Sequence, residues 1–330
     1  MLRYHPYGSC VCRRTAQCYK KKRSSIKIFA SAPYILFPKS YFLVPYICSM
    51  HLYTIDTGFF KLDGGAMFGV VPKSIWKNLN PADENNMCNW AMRCLLVEDG
   101  NRLILVDNGI GNKQSDKFFG YYYLNGEASL DGSLNALGFS RDDITDVVLT
   151  HLHFDHCGGS IEWNNDRTAY QPAFKNAHFW SNETHFNHAL NSNPREKASF
   201  LTENIIPIQE SGQLKFVKEA NDVAEFISMR TVYGHTEAMM LPQITIKGQT
   251  LVFCADLIPS VGHLPVNYVM AYDIKPLESM RDRQLFLDEA VANNYILFFE
   301  HDPVVECCTV KKNERGGFVV DKTFRLNDLF

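Results

Sequence analysis

The ten residues THLHFDHCGG, 150–159, constrain this chain more than any other stretch of it. They place His151, His153, Asp155 and His156 within six positions, directly after the apolar run DVVLT at 146–150. Imidazole and carboxylate groups this crowded are costly to bury unless something binds them. In an extended segment alternate side chains point the same way, so His151 and His153 approach one point together. Asp155 and His156 follow, where a turn swings them toward a second point. Neutral imidazole and carboxylate are the ligand types that suit a borderline divalent ion such as zinc. The competing reading is a polar surface loop rich in histidine. Against it stand three further polar residues, each closing an apolar run: His235 after TVYG, Asp256 at the end of LVFCAD, and His301 in YILFFEHD. Polar residues at strand ends meet along one rim of a sheet, where sites are commonly assembled.

The surrounding pattern supplies such sheets. Short β-rich runs occur at 92–98, 102–109, 146–150, 177–181, 213–217, 224–230, 240–246, 250–256 and 295–302, with GFVV near the end. Helices are expected around 129–138, 182–191, 195–204 and 277–293, the last rich in good helix formers and free of Pro and Gly. A tight turn at Gly248 within ITIKGQTLVF predicts antiparallel pairing. Sheets covered by helices make an α/β sandwich.

Charge divides the chain in two. Residues 1–49 hold nine of its 33 Lys and Arg and none of its 36 Asp and Glu, so the remainder carries 24 against 36, a formal −12. An acidic body argues against nucleic-acid binding, which needs a basic face. Residues 1–49 read as a basic leader set apart from a domain over 50–330. KKKR at 20–23 is compatible with a nuclear address, the leader as a whole with a targeting peptide, and a third reading starts translation at Met50. The leader's apolar stretch is interrupted by Pro33, Pro38, Pro45 and Lys39, so no membrane span is expected. Beyond the leader, Cys88, Cys94, Cys157, Cys254, Cys307 and Cys308 form no CxxC pair and read as small buried residues of a reducing compartment, with a cytoplasmic location expected.

HLHFDH matches the HxHxDH signature of the metallo-β-lactamase superfamily, and His235, Asp256 and His301 follow in that family's order. LILVDNGIGNK is similar to the strand-turn motif that precedes its metal loop. The resemblance runs from about Met50 past His301. It implies a four-layer αβ/βα sandwich with two zinc ions at one edge. His151, His153 and His235 would hold the first ion, Asp155, His156 and His301 the second, and Asp256 would bridge them. Two such cations lower the pKa of a shared water from 15.7 toward about 7, giving a metal-bound hydroxide as nucleophile. Asp155 is then expected to be catalytic as well as a ligand, orienting that hydroxide.

Departures narrow the branch. Zinc β-lactamases of the commonest type have cysteine where this chain has Asp256. Flavodiiron proteins replace the second motif histidine, here His153, by glutamate. Glyoxalase II carries a helical C-terminal unit too large for the 29 residues after His301, and nucleic-acid-cutting branches insert a domain for which the spacings of 21 and 45 residues leave no room. The chain most resembles the lactonase and methyl-parathion-hydrolase-like branch, which implies a small ester, lactone or phosphotriester as substrate; a homodimer is left open. An iron-dependent persulfide-dioxygenase-like oxidoreductase shares the motif and is the alternative, and a non-catalytic scaffold is a third.

Other features carry two readings each. Met67 and Phe68, in the branch-like segment LDGGAMFGVVPKSIW, are either cavity wall or core. Acyl-homoserine lactonases place a tyrosine three residues after the bridging aspartate; Pro259 stands there, leaving His263, Tyr268 or Tyr272 as candidate donors to a developing oxyanion. His178, His185 and His188 lack carboxylate company and read as surface or cleft-rim residues. FFGYYYL at 118–124 is an aromatic lid or a packed edge. Cys157 reads as buried, and Gly158 and Gly159 as the means of a close backbone turn.

Overall fold

The computed structural model describes residues 50–100 and 102–329; the expected leader, 1–49, lies outside the described residues. Two six-stranded sheets dominate. The first has the order β1 (His51–Asp63), β2 (Met87–Asp99), β3 (Arg102–Val106), β4 (Asp146–Val148), β7 (His178–Ser181), β8 (Leu214–Phe216), while β5 (Ile161–Trp163) and β6 (Tyr170–Pro172) pair as a separate hairpin. The second sheet, from its far edge, is β14 (Phe318–Phe324), β13 (Cys307–Lys312), β12 (Ile296–Phe298), β11 (Gln249–Phe253), β10 (Met239–Ile246), β9 (Ile227–Val232).

Strand β2 shows why the sheets stack. Leu95 and Val97 enter one apolar cluster with Met239, Phe253 and Phe298 of the second sheet and Phe286 and Leu287 of the helix Pro276–Asn293. Cys94 and Leu96 face the other way, into a cluster completed by Leu134, Phe186, Ile205 and Ile208. Those four belong to the helices Leu130–Ala136, Glu183–Leu190 and Thr202–Glu210. A strand covered on both faces reads as an unbroken apolar run. Each fully buried Leu, Val or Phe contributes about 1.5–3 kcal/mol. The layers are helices, sheet, sheet, helix: the αβ/βα sandwich.

Three of the four expected helices form within a few residues of their predicted bounds. The fourth, expected at 195–204, does not. The side chain of Asn193 takes the amides of Arg195 and Glu196 and bends that stretch into a turn. The helix starts only at Thr202. The long β1 escapes a period-2 reading because its register shifts between Asp56 and Phe59, where Gly58 adopts φ 107°. Antiparallel pairing is confirmed for β10–β11, with Gly248 at φ 78°. Yet β3–β4, β4–β7, β7–β8 and β11–β12 are parallel. That arrangement sends the C-terminal ends of β3 and β4 to one edge of the first sheet and those of β11 and β12 to one edge of the second.

Candidate metal centre

The segments leaving β3, β4, β9, β11 and β12 carry the chemistry. All seven residues singled out from the sequence are buried and come together at that edge. In one group, donor atoms of His151, His153, His235 and Asp256 all lie within 4.8 Å of one another; Asp155, His156 and His301 make a second group by the same measure. Imidazole nitrogens confront each other directly. His151 Nε2 and His153 Nδ1 are 3.1 Å apart, His235 Nε2 and His153 Nδ1 3.2 Å, His301 Nε2 and His156 Nε2 3.2 Å. A tetrahedron with ~2.05 Å metal–nitrogen bonds has edges of about 3.3 Å, so these spacings fit a shared divalent ion. Asp256 sits between the groups, with Oδ2 3.0 Å from His235 Nε2 and Oδ1 3.2 Å from His301 Nε2. That Oδ1 is buried and has no hydrogen-bond partner.

The outer nitrogens fix which nitrogen faces inward. His151 Nδ1 meets Thr150 Oγ1 at 3.0 Å, His235 Nδ1 meets Asp273 Oδ1 at 2.9 Å, and His301 Nδ1 meets the Ala91 carbonyl at 2.8 Å. His156 Nδ1 lies 3.0 Å from Asp107 Oδ2 and 2.9 Å from Glu300 Oε2. An N–H committed to such an acceptor leaves the other ring nitrogen with a lone pair for a metal. One N–H cannot serve two carboxylates fully. Burial, with Asp107 adding to it, pushes Glu300 up to about 8 against the opposing pull of His156.

Charge is distributed to suit cations. Burial pulls His235 and His301 down, but the Asp256 carboxylate outweighs it and raises them to about 10 and about 9. Asp256 itself, which burial alone would raise, is held well below the usual carboxylate range by His235, His301 and His156. His151, by contrast, is driven well below the ordinary imidazole range by burial among its neighbours. An added cation replaces protons in such a set.

The outer partners Asp107, Glu300 and Asp273 are not among the residues singled out from the sequence, although Asp107 lies within LILVDNGIGNK. Asp107 closes the β3 run in VDNG, and its carboxylate also takes the Thr150 amide at 2.8 Å and the Thr150 hydroxyl at 2.6 Å. Glu300 breaks an apolar run beside His301. Asp273 has no local signature at all. His185 corrects the surface reading: it is buried, its Nε2 accepts from the Leu152 amide at 2.8 Å, and its Nδ1 donates to the Glu237 carbonyl at 2.6 Å. His188 meets Glu196 at 2.8 Å, and His178 is exposed at the start of β7. Cys157 is buried as expected, with its thiol on the Leu152 carbonyl. A Cβ on Gly158 would come within 2.2 Å of the Ile110 carbonyl and one on Gly159 within 2.3 Å of the Asn108 carbonyl, which is the close turn expected of them.

A cavity of about 340 Å³ opens beside both groups, lined by Leu62, Met67, Tyr122, Phe154, Met270 and Tyr272 along with His153, Asp155, His235, Asp256 and His301. Met67 is therefore wall, whereas Phe68 is core, stacked on Trp76 and His263. Of the aromatic run, Tyr122 reaches the cavity and packs on Phe154, while Tyr121 and Tyr123 are exposed. Among the described residues no helix is long and apolar enough to cross a membrane.

Known proteins share this architecture. A probable metal-dependent hydrolase from Staphylococcus aureus superposes with a TM-score of 0.74 at 26% identity, covering 84% of this chain and 99% of that one. AidC, a dizinc quorum-quenching lactonase, superposes with a TM-score of 0.67 at 23% identity over 84% of this chain and 95% of its own, a likeness of fold. An N-acyl homoserine lactonase of Bacillus thuringiensis is 29% identical over 115 residues, which span 30% of this chain and 45% of that protein, so less than half the relative's length is matched. The family description "Metallo-beta-lactamase superfamily" fits residues 93–301, from β2 to the last histidine of the centre. On fold, ligand edge and that match together, this chain belongs to the metallo-beta-lactamase superfamily.

Proposed function

We propose that the chain is a dinuclear zinc-dependent hydrolase of small ester, lactone or phosphotriester substrates. His151, His153 and His235 would hold one ion and Asp155, His156 and His301 the other, with Asp256 within reach of both groups. The observation that carries this reading is Asp256, one carboxylate whose Oδ2 lies 3.0 Å from His235 Nε2 of the first set and whose Oδ1 lies 3.2 Å from His301 Nε2 of the second. The similar proteins described as N-acyl homoserine lactonases support the substrate class.

Bound there, the cations supply Lewis acidity, acidifying water toward neutrality and polarising an acyl or phosphoryl oxygen. Asp155 lines the cavity and orients the attacking water, accepting its proton. Phe154, Tyr122 and Met270 exclude bulk water from the reacting face. Of the three oxyanion donors named from the sequence, His263 is ruled out. It is buried with one ring nitrogen on Ser260 and the other on the Met67 carbonyl. Tyr268 packs against the cluster under the cavity without lining it. Tyr272 lines it, and burial beside anionic groups pushes its phenol well above the ordinary range, so it stays protonated and able to donate.

Metal content of the full chain, purified without added metal, tests the reading. Two zinc ions per chain and turnover within a panel of lactones, esters and phosphotriesters are expected. One iron per chain with oxygen consumption, or a folded chain that holds no metal, refutes it.

A further inference from the structure

Among the residues lining the cavity beside the centre, Arg195 is the one Lys or Arg side chain. It is exposed, and its Nη2 donates to the Ala271 carbonyl, so the guanidinium is tied across to the segment that carries Tyr272. It pairs with no carboxylate among the described residues. Its neighbour Glu196 also lines the cavity, but that carboxylate is buried and committed elsewhere, to the Thr236 hydroxyl, His188 and Asn193. The other carboxylates of the cavity, Asp155 and Asp256, belong to the ligand groups. The rest of the guanidinium fork is thus left in the cavity wall without a carboxylate partner of its own.

A cavity with an exposed, unpaired guanidinium in its wall favours an anionic group on what it binds. We propose that Arg195 is the docking point for a carboxylate carried by the substrate a few bonds from its scissile ester or lactone group. The planar fork suits a carboxylate, whose two oxygens match it bidentately. This inference rests on the hydrolase reading above. The hydrolysis product would then be a dianion, one carboxylate at the centre and one on Arg195.

Product-like acids test it without turnover. The zinc-loaded full chain is titrated calorimetrically with acids matched in chain length: succinate against butanoate, glutarate against pentanoate, adipate against hexanoate. At least one diacid should bind fivefold or more tighter than its monoacid. Arg195→Met, which keeps length and loses charge, should bring that pair within twofold while leaving the monoacid unchanged, and Arg195→Lys should retain part of the preference. A preference below fivefold in every pair, or one that survives in Arg195→Met at unchanged zinc content, overturns the inference and leaves the hydrolase reading standing. A chain that holds no zinc refutes both.

Discussion

Asp107→Asn should damage the centre from one layer outside it. The carboxylate is fully buried and accepts three hydrogen bonds: the Thr150 amide at 2.8 Å on Oδ1, and the Thr150 hydroxyl at 2.6 Å and His156 Nδ1 at 3.0 Å on Oδ2. Asparagine keeps one acceptor oxygen and puts an NH2 group where Oδ2 was, facing two donors. Two hydrogen bonds to a charged acceptor, each worth about 1.5–3 kcal/mol, are lost, so unfolding should become easier by about 3–6 kcal/mol. His156 then loses one of the two carboxylate partners that hold its inner nitrogen ready, and outer-layer losses of this kind weaken metal binding by about 10–100-fold. Urea unfolding of metal-free and zinc-loaded protein reads the first effect, and competition with a chromogenic chelator the second. An unfolding free energy within about 1 kcal/mol of the parent, together with zinc affinity within about threefold, would show that Asp107 is not the anchor described here.

Three further outcomes are expected. Asp155→Asn should abolish hydrolysis with far-ultraviolet circular dichroism unchanged; undiminished turnover in that variant would sink the mechanism. Tyr272→Phe should lower kcat by about 10²–10³-fold with little change in KM, as for loss of one oxyanion donor, and an effect confined to KM would move Tyr272 out of that role. The metal-stripped protein should lose stability on acidification below pH 6.5. Burial holds both His185 and His263, the latter beside Arg283, down to about 3. They fold neutral, so their contribution is complete above the unfolded value near 6.5 and is lost as pH falls toward 3, at about 1.4 kcal/mol per pH unit for each. Histidines with raised pKa, such as His235 and His301, have an opposite dependence that is already at its plateau below 6.5. Denaturant midpoints at pH 7 and pH 5 decide it.

The seven candidate ligands were legible because each sits where an apolar run meets a polar residue, a pattern written within a few positions of the chain. Their partners were not, because those contacts span long separations. Asp273 reaches His235 across 38 residues, and the Ala91 carbonyl reaches His301 across 210. His185 looked like one of three scattered histidines; only the fold reveals that its two nitrogens join the Leu152 amide to the Glu237 carbonyl. The sandwich was legible from alternating strands and helices, whereas β1 was hidden by its own bulge and the helix at 202–210 by the Asn193 turn ahead of it.

Neither candidate ion site belongs to one sheet. His151, His153, Asp155 and His156 follow β4 of the first, while His235, Asp256 and His301 follow β9, β11 and β12 of the second. The same rim is already stitched by backbone bonds from the Met240 amide to the Thr150 carbonyl and from the Ala91 amide to the His301 carbonyl. An ion seated in either group is therefore a rivet through the seam between the two halves of the sandwich. Neither half alone supplies a complete ligand group, so a bound ion would resist any motion that parts the sheets at this rim.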